Sequence, residues 1–458
     1  MLLRTWLNIL NGWRPAFHQQ RSLDRAIRQA LACLTTLGRR TLSRLIASQG
    51  RQQQDWSADY RLHARAPWQA HRLFQPILEK ALPLCRGRYL PLAMDDTRIR
   101  KTGRKILSAF FQRDPLSPKF RFNLMWGLRF LQVAILAPLY RTSKQSARSL
   151  PVRFVECPVV KKPSKKASPE VWDAWRECAK RSNLSSRTVE ILRGLREACD
   201  EAGGQRKTIL AVGDASFCNR TLFRFTWDRV EIVTRARRDL KLCRPAAAGG
   251  RRIYDVLKFT PEQVRQDEAI AWQKVRVFYG GQWRKIRYKE LAGIYWQSGA
   301  GPRKLRLLIV APLPYHVPGR PRNYYREPAF LLTTDLNGTA REILQPYLDR
   351  WQIEVNHREE KDTLGVGQAQ LRSTQSVPRQ PALVVAAYSA LLLAGILAFG
   401  PDRGEAYPQL PKWRRNAKRP SCLDLITVLR KEMLEKRSAL EDLALYPNLE
   451  TLVLTAAA

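Results

Sequence analysis

The stretch 347–361, YLDRWQIEVNHREEK, is the part of the sequence from which the fold and the site can both be argued. At about 100° per residue, four of its side chains fall within a helical arc of roughly 60°: Tyr347, Arg350, Glu354 and Lys361. Glu359 and Glu360 point away from that arc. A carboxylate, a phenol and two cations on one helix face suit a site where metal ions and phosphates meet. Taken alone, the stretch also fits an exposed helix with i,i+4 ion pairs.

Two apolar runs upstream each end in an aspartate. The run 89–94 precedes Asp95 and Asp96, and the run 208–213 precedes Asp214. Both runs have the length and composition of buried strands. Carboxylates from separate elements can converge on a two-metal site, and Mg²⁺ or Mn²⁺ prefers such oxygen ligands. The cysteines and histidines show no zinc-site spacing, so a zinc site is unsupported.

The charge balance predicts a polyanionic partner. Lys and Arg number 80 against 40 Asp and Glu, which gives a formal net charge of +40. Such a field attracts nucleic acid through phosphate contacts and counterion release. A ribosome-like protein and a membrane-surface protein are the alternatives that charge alone allows. Hydrophobic residues make up 45% of the chain, as in a folded protein rather than a disordered one.

The apolar stretch 381–400 is long enough to suggest a membrane span, but it contains Tyr388 and Ser389 and follows a charged helix. We therefore predict a buried core helix and no membrane association. The first residues are too briefly apolar for a secretory signal. Scattered cysteines without a C-x-x-C pair fit a reducing cytosol, so the predicted location is cytoplasmic.

Composition and periodicity divide the chain into five parts. We predict a helical DNA-binding region (1–80), the first part of an α/β core (81–221), a β-rich insertion (222–329), the second part of the core with the glutamate helix (330–402), and a basic helical tail (403–458).

Within these parts, the helical pattern at 172–202 and the last amphipathic helix at 421–445 are each predicted as one helix. Strands are predicted at 223–227, 275–279, 306–310 and 330–334, with a turn at Gly280–Gly281.

Further candidate DNA contacts are arginines in three basic segments: Arg39, Arg40, Arg44, Arg235, Arg237, Arg414 and Arg415. The first segment, 38–46, reads as a turn and a capped helix that a helix-turn-helix would place in the major groove. The second segment is a strand whose arginines alternate and so share a face. The third, 412–419, surrounds Trp413 with cations, which suits backbone binding. For each segment, a solvated surface is the structural alternative.

The helix 347–361 resembles the Y-(2)-R-(3)-E-(6)-K signature of bacterial cut-and-paste insertion-sequence transposases, which belong to the DDE superfamily. Other segments resemble the family as well. The stretch 92–97 matches a D-x-T pattern, followed by Lys101 and Gly103, and the stretches 211–216, 233–237 and 364–370 match later motifs. The resemblance covers roughly residues 40–400.

This resemblance implies an RNase H-like core, a mixed sheet flanked by helices, interrupted by the β-rich insertion. It implies three ligands for two divalent ions, Mg²⁺ or Mn²⁺: Asp95, Asp214 and Glu354. It also implies phosphate contacts at the transposon end for Tyr347, Arg350 and Lys361. The D-x-T pattern favours Asp95 as the first ligand, and strand alternation leaves Asp96 open as the alternative.

The activity implied is metal-dependent nicking, excision and strand transfer on double-stranded DNA. Two DNA ends in one complex imply a homodimer on DNA. Three alternatives remain open: an inactive or domesticated relative that binds DNA as a regulator, a basic scaffold with structural carboxylates, and another RNase H-like nuclease such as a resolvase.

Overall fold

A computed structural model describes residues 1–106, 108–115, 117–118, 120–143, 145–247, 251–315, 317, 322, 324–414 and 417–435. The first five helices are α1 (Leu2–Leu10), α2 (Gln20–Thr35), α3 (Leu42–Ser48), α4 (Ser57–Ala64) and α5 (Gln75–Ala81). The next elements are β1 (Tyr89–Arg100), β2 (Phe110–Arg113), β3 (Leu124–Ala137), β4 (Arg148–Glu156), α6 (Pro169–Ser182), α7 (Leu184–Glu201), β5 (Thr208–Gly213), α8 (Arg220–Arg224) and β6 (Val230–Arg235).

The chain continues through β7 (Leu242–Pro245), β8 (Tyr254–Phe259), α9 (Pro261–Gln266), β9 (Gln273–Tyr279), β10 (Gln282–Tyr295), α10 (Gln297–Ala300), β11 (Lys304–Val310), β12 (Pro314–Tyr315), β13 (Tyr324–Tyr325) and β14 (Ala329–Thr333). The last helices are α11 (Ala340–Asp349), α12 (Trp351–Arg358), α13 (Ser376–Phe399) and α14 (Cys422–Glu435). A π-helical turn (Glu359–Thr363) follows α12 directly.

Twelve of the described strands form one mixed sheet. Its order is β2-β3-β1-β5-β6-β14-β11-β10-β7-β8, with β4 paired to β3 and β9 paired to β10. β1 runs antiparallel to β3 and parallel to β5, and β5 runs parallel to β6. This confirms the predicted α/β class with a mixed sheet and many helices.

The predicted β-rich insertion (222–329) is joined to the core by hydrogen-bonded strands. β6 pairs with β5 and belongs to the core, so the boundary at residue 222 falls before a core strand. β14 pairs with β6, and β11 and β10 extend the same sheet. The predicted turn at Gly280–Gly281 is confirmed: both glycines have positive φ, 62° and 79°, as tight hairpins require.

The two faces of β1 and β5 are covered by different helices. On one face, Ala93 packs with Ile353 of α12, and Val212 packs with Leu344 of α11. On the other face, Met94 joins the larger core. Side chains alternate between the two faces of a strand. A residue that follows the run 89–94 or the run 208–213 is therefore expected to lie either on the face covered by α11 and α12 or on the opposite face.

α13 is the one helix in the described ranges that is long and apolar enough to cross a membrane by length and composition. In the protein, 78% of its most apolar window is buried. Trp6 of α1 donates a hydrogen bond from Nε1 to the carbonyl of Ala387 at 3.1 Å. The helix is therefore packed as the predicted core helix.

Three predicted elements differ from the structure. The strand expected at 223–227 was wrong, because Asn219 caps a short helix there by accepting from Leu222 N at 3.2 Å, and Phe223 is buried inside it. The helical pattern at 172–202 is two helices that meet at Asn183. The last predicted helix is present as α14, and its predicted part beyond residue 435 lies outside the described residues.

His63 leads to a prediction about acid stability. The ring is fully buried, with Nε2 2.8 Å from Gln29 Oε1. Burial, with a smaller effect of the Arg379 charge, lowers the pKa of His63 to about 3, against about 6.5 in an unfolded chain. Between these values only the unfolded state binds the proton. The free energy of unfolding therefore falls by up to about 1.4 kcal/mol per unit as pH drops below about 6.5.

Urea unfolding of wild type and His63→Gln checks this prediction, since glutamine still donates to Gln29 and does not titrate. From about pH 6.5 to about pH 5, wild type should lose about 2 kcal/mol more than the variant. Above about pH 6.5 the two should show the same pH dependence. Equal slopes below that pH would contradict the prediction.

Candidate active site

Asp95 and Asp214 lie level with each other, just beyond the last paired position of β1 and β5. β1 itself continues to Arg100. In the parallel β1–β5 pair, Ala93 lies opposite Val212 as the last paired position. Asp95 and Asp214 each follow two residues later. Both side chains therefore continue the rows of Ala93 and Val212, on the face covered by α11 and α12. The carboxyl end of parallel strands is where α/β sheets place their ligand sites.

Glu354 reaches the same face from α12. Thr339 caps α11 by accepting from Glu342 N at 3.3 Å, and the Glu342 side chain completes the capping box. The fully buried Ile353 packs against Ala93 and fixes the rotation of α12. Burial raises the pKa of Glu354, Arg350 opposes this, and the Asp95 charge raises the pKa further. The two carboxylates are therefore close enough to interact.

Each of the three carboxylates has a partner within the protein. Glu354 Oε1 accepts from Arg350 Nη2 at 3.1 Å. Asp95 Oδ2 lies 3.6 Å from His357 Nε2. Asp214 Oδ1 accepts from Ser216 N at 2.8 Å in its own turn.

The three carboxylates are the kind of ligand that a hard divalent metal prefers, but they lie too far apart to share one metal ion in this structure. Within the described ranges, no group of three or more His, Cys, Asp or Glu side chains is close enough to hold a metal ion. The structure thus brings the three carboxylates to one face without bringing them to metal-binding distance. Gln132, directly opposite Asp95 in the β1–β3 register, is fully buried, and neither amide atom has a hydrogen-bond partner among the described residues. The Gln132 amide therefore supplies polar atoms next to Asp95 within the sheet. Carboxylate oxygens are the ligands that Mg²⁺ and Mn²⁺ prefer.

Asp96 points to the opposite face from Asp95. Its Oδ2 accepts from Arg129 Nε at 2.7 Å, and both side chains are largely buried. Burial lowers the pKa of Arg129, but the hydrogen bond and charge of Asp96 outweigh it and raise that pKa overall. Of the two alternatives, Asp95 is the one on the face of α12.

Behind Asp95, the structure places a pair of residues that the sequence analysis did not assign. His357 Nδ1 lies 3.5 Å from Glu360 Oε2, and both side chains are buried. Burial lowers the pKa of His357, but the carboxylates of Asp95 and Glu360 outweigh it and raise that pKa to about 9. A charged His357 therefore sits between two carboxylates. The i,i+3 spacing from Glu354 to His357 to Glu360 was the available signal.

Lys361 departs from the geometry that a straight helix predicts, because the chain widens into the π-helical turn at Glu359–Thr363. Burial lowers the pKa of Lys361, and the charges of Glu360, Asp362 and Asp95 raise it. Glu360 is buried against His357, which contacts Asp95, so it lies behind the site rather than away from it. Glu359 accepts a hydrogen bond from the Tyr388 hydroxyl.

Tyr347 and Arg350 border a cleft of about 950 Å³, and Arg350 also donates to Glu354 Oε1. Arg235 lines the cleft too, and burial raises the pKa of Tyr347 while Arg235 and Arg350 lower it. Two further cleft arginines, Arg284 and Arg326, were missed because their positions depend on how the inserted strands fold back. The cleft suits an anionic polymer.

The other predicted DNA contacts divide into exposed and internal residues. Arg235 and Arg237 are both exposed around the buried Ala236. The predicted strand covers only Arg235, at the end of β6, and Arg237 lies two residues beyond it, paired with Asp239 at 2.6 Å. Arg39 and Arg44 are exposed at the start of α3.

Arg40 corrects the prediction, because its guanidinium is used within the chain. Its Nε donates to the Cys33 carbonyl at 2.9 Å, and its backbone N donates to Gln368 Oε1 at 2.6 Å. Burial is the main cause that lowers the pKa of Arg40.

The basic tail segment is only partly described. Arg415 and the side chain of Arg414 lie outside the described residues. Trp413 is 89% exposed. Arg419 of the same segment donates to the Ala147 carbonyl and to Gln352 Oε1, so it is internal.

Lys101 ties the strand of Asp95 to the loop after the glutamate helix. Its buried ammonium donates to the carbonyls of Gly367 at 2.8 Å and Ala369 at 2.7 Å. Burial lowers the pKa of Lys101 to about 8, with Glu156 opposing. Gln370 Oε1 accepts from Gly103 N at 3.3 Å and strengthens the same junction.

Lys101→Met is expected to lower the free energy of unfolding by about 2–4 kcal/mol, because two charge-assisted hydrogen bonds are lost and two carbonyls stay buried. Thermal or urea unfolding measures this. The matched control is Lys105→Met, because Lys105 is exposed. It should change the free energy of unfolding by less than about 0.5 kcal/mol. Equal effects of the two substitutions would contradict the anchoring role of Lys101.

Comparison with known proteins leaves the family undetermined. The sequence matches no family model and no curated protein. A solved piggyBac transposase synaptic complex with hairpin DNA has a TM-score of 0.36 and 12% identity, over 93% of this chain and 77% of that chain. That TM-score is too low to establish a shared fold.

Proposed function

We propose that the protein is a DNA transposase of the DDE type, with Asp95, Asp214 and Glu354 as its catalytic carboxylates. One observation carries the proposal. Carboxylates on β1, directly after β5 and on α12 lie on one face, where the parallel pairing of β1 and β5 ends. Arg350, which contacts Glu354, lines the cleft together with Arg235 and Tyr347. A formal net charge of +40 supports DNA as the substrate.

The strand order supports an RNase H-like core for this proposal. Along β4-β3-β1-β5-β6, the first three strands are antiparallel and the last two run parallel to β1. This agrees with the core that the sequence resemblance implies. The inserted strands lie between the second aspartate and the glutamate helix, as that resemblance also implies.

When bound, two divalent ions held by Asp95, Asp214 and Glu354 would activate the attacking hydroxyl and stabilise the leaving oxygen. The chain's own groups bind and orient the DNA. Arg350 and Lys361 lie beside the carboxylates and bind phosphates. His357 holds the Asp95 carboxylate from behind.

Around this site, Arg235 and Tyr347 extend the phosphate-binding surface along the cleft. Each cation lies where an in-line phosphoryl transfer concentrates negative charge.

The proposed partners follow from the reaction. Transposon ends and target are double-stranded DNA, and pairing two ends calls for a homodimer on DNA. We place the protein in the bacterial cytoplasm, on nucleoid DNA. A second candidate function, DNA binding without cleavage, is favoured by one observation: Glu354 is paired with Arg350 rather than grouped with the aspartates.

The test is cleavage of a supercoiled plasmid that carries the element's own ends, with Mg²⁺ or Mn²⁺ and with excess chelator. A transposase yields nicked or linear DNA that depends on the metal, and the chelator abolishes it. DNA binding measured by mobility shift should persist in chelator, because arginines carry it. Tight binding with no cleavage under any metal would support the second candidate.

A further inference from the structure

An exposed hairpin lies at one end of the sheet, and the proposed reaction assigns it no role. We define the aromatic hairpin as the described residues of 104–126, which contain β2 and the start of β3. Four large apolar side chains on it face solvent: Phe120 at 92%, Phe122 at 64%, Leu124 at 57% and Phe111 at 56% exposure. Several large exposed apolar side chains on one short segment are typical of an interaction site.

The hairpin is also strongly cationic. Residues 98–126 contain eight Lys and Arg and a single acid, Asp114. That acid is paired with Arg100 at 3.0 Å. The remaining cations leave the hairpin with a concentrated positive charge, which fits a polyanion and opposes contact with a second copy of the same surface.

The arginines and aromatic rings are organised against one another. The Arg104 guanidinium lies 5.3 Å from the Phe111 ring centre and 5.4 Å from the Trp126 ring centre. Arg113 lies 5.5 Å from the Phe122 ring centre. Paired guanidinium groups and rings combine phosphate binding with apolar contact to bases and sugars.

The root of the hairpin is rigid. Trp126 Nε1 donates to the Gly103 carbonyl at 3.1 Å, and Lys101 N donates to the Trp126 carbonyl at 2.9 Å. At Gly127, a Cβ would lie 2.3 Å from the Ile99 carbonyl oxygen, so only glycine allows this crossing of β1 and β3. The tip is thus exposed on a fixed base.

The hairpin grows from the strand that carries Asp95. Arg100 ends β1 five residues after Asp95, about 16 Å along a strand. A duplex whose phosphodiester reaches Asp95 therefore passes within reach of the hairpin.

We propose that the aromatic hairpin is a docking arm for duplex DNA next to the cleaved bond. Arg113 and Arg121 bind phosphates, and Phe120 and Phe122 press into the groove as an apolar wedge that deforms the duplex. This inference rests on the proposed function for its ligand. It adds a contact surface outside the signature helix and the cleft.

The test measures equilibrium binding of the full chain to a fluorescent duplex in chelator, so that cleavage plays no part. Phe120→Ser with Phe122→Ser is expected to weaken binding by about 5- to 100-fold, the range for losing one or two apolar base contacts. Arg113→Gln with Arg121→Gln is expected to lower the slope of log affinity against log salt by about 2. The control is Val256→Ser with Leu257→Ser, an exposed apolar pair on β8 at the opposite end of the sheet.

The outcomes separate this inference from the proposed function. If wild type binds and cleaves DNA and the phenylalanine variant binds equally well, the arm is overturned and the transposase stands. If the hairpin variant and the control weaken binding alike, the loss is not specific and the arm is overturned. If the hairpin variant loses capture by anionic phospholipid vesicles with DNA binding unchanged, the surface is a membrane contact and the arm is again overturned. Selective loss of DNA affinity in the hairpin variants, with unchanged thermal unfolding, supports the arm even if no cleavage is seen.

Discussion

Replacing Glu354 by glutamine is expected to lower metal-dependent cleavage by a factor on the order of 10³ or more, while DNA binding is retained. Glutamine keeps an acceptor for Arg350, so the i,i+4 contact on α12 can persist. It removes the charge that interacts with Asp95. The variant should therefore fold normally and lose only the step that depends on a carboxylate.

The plasmid assay and a mobility shift, run side by side, measure this prediction. Asp362→Asn is the matched control, since Asp362 is an exposed acid on the same segment, beyond the site. It should cleave at nearly the wild-type rate. Equal cleavage by Glu354→Gln and wild type would discard Glu354 as a ligand and the two-metal reaction with it.

The neighbouring aspartates of β1 should differ in their effect on cleavage. Asp95→Asn is expected to reduce cleavage by on the order of 10³ or more, and to lower the free energy of unfolding by about 1–3 kcal/mol, because the buried His357 loses a charged partner. Asp96→Asn is expected to retain most of the cleavage and to lower the free energy of unfolding by about 1–3 kcal/mol, because Arg129 loses its charged partner in a largely buried pair.

Cleavage rates and urea unfolding of both variants decide between them. The comparison is internally controlled, because the two substitutions are identical and adjacent in sequence. A loss of cleavage in Asp96→Asn with normal cleavage in Asp95→Asn would reverse the assignment. It would mean that Asp96 is the metal ligand, on the face of the sheet that carries Arg129.

Local patterns predicted the parts of the site that depend on one segment. The apolar runs before Asp95 and Asp214 are paired strands, although β1 continues past Asp95 to Arg100, and the stretch 347–361 is helical, in two helices and a π-helical turn. Alternation could not decide between Asp95 and Asp96. That choice depends on which helix packs on which face, and the contact of Ala93 with Ile353 supplies it.

The features that the sequence did not predict depend mostly on contacts with residues far away along the chain. Arg40 was predicted as a DNA contact, but its guanidinium donates to the carbonyls of Cys33 and Gly38, and its backbone N donates to Gln368 Oε1, 328 residues away. Arg284 and Arg326 reach the cleft only through the folding back of the inserted strands. The aromatic repeat at 223–227 has strand alternation, but the cap at Asn219 and the burial of Phe223 select a helix.

The three carboxylates lie far apart in the sequence. Their spacing determines when a nascent chain first contains the complete set. Asp95 and Asp214 meet only after β1 and β5 pair across more than a hundred residues, and Glu354 leaves the ribosome last of the three. Contacts this far apart in sequence form late in folding. A chain interrupted before residue 354 can carry exposed arginines such as Arg39, Arg44, Arg235 and Arg237, but it lacks a complete set of carboxylates. Under the proposed function, a fragment that ends before residue 354 lacks one of the three catalytic carboxylates and is expected not to cleave DNA.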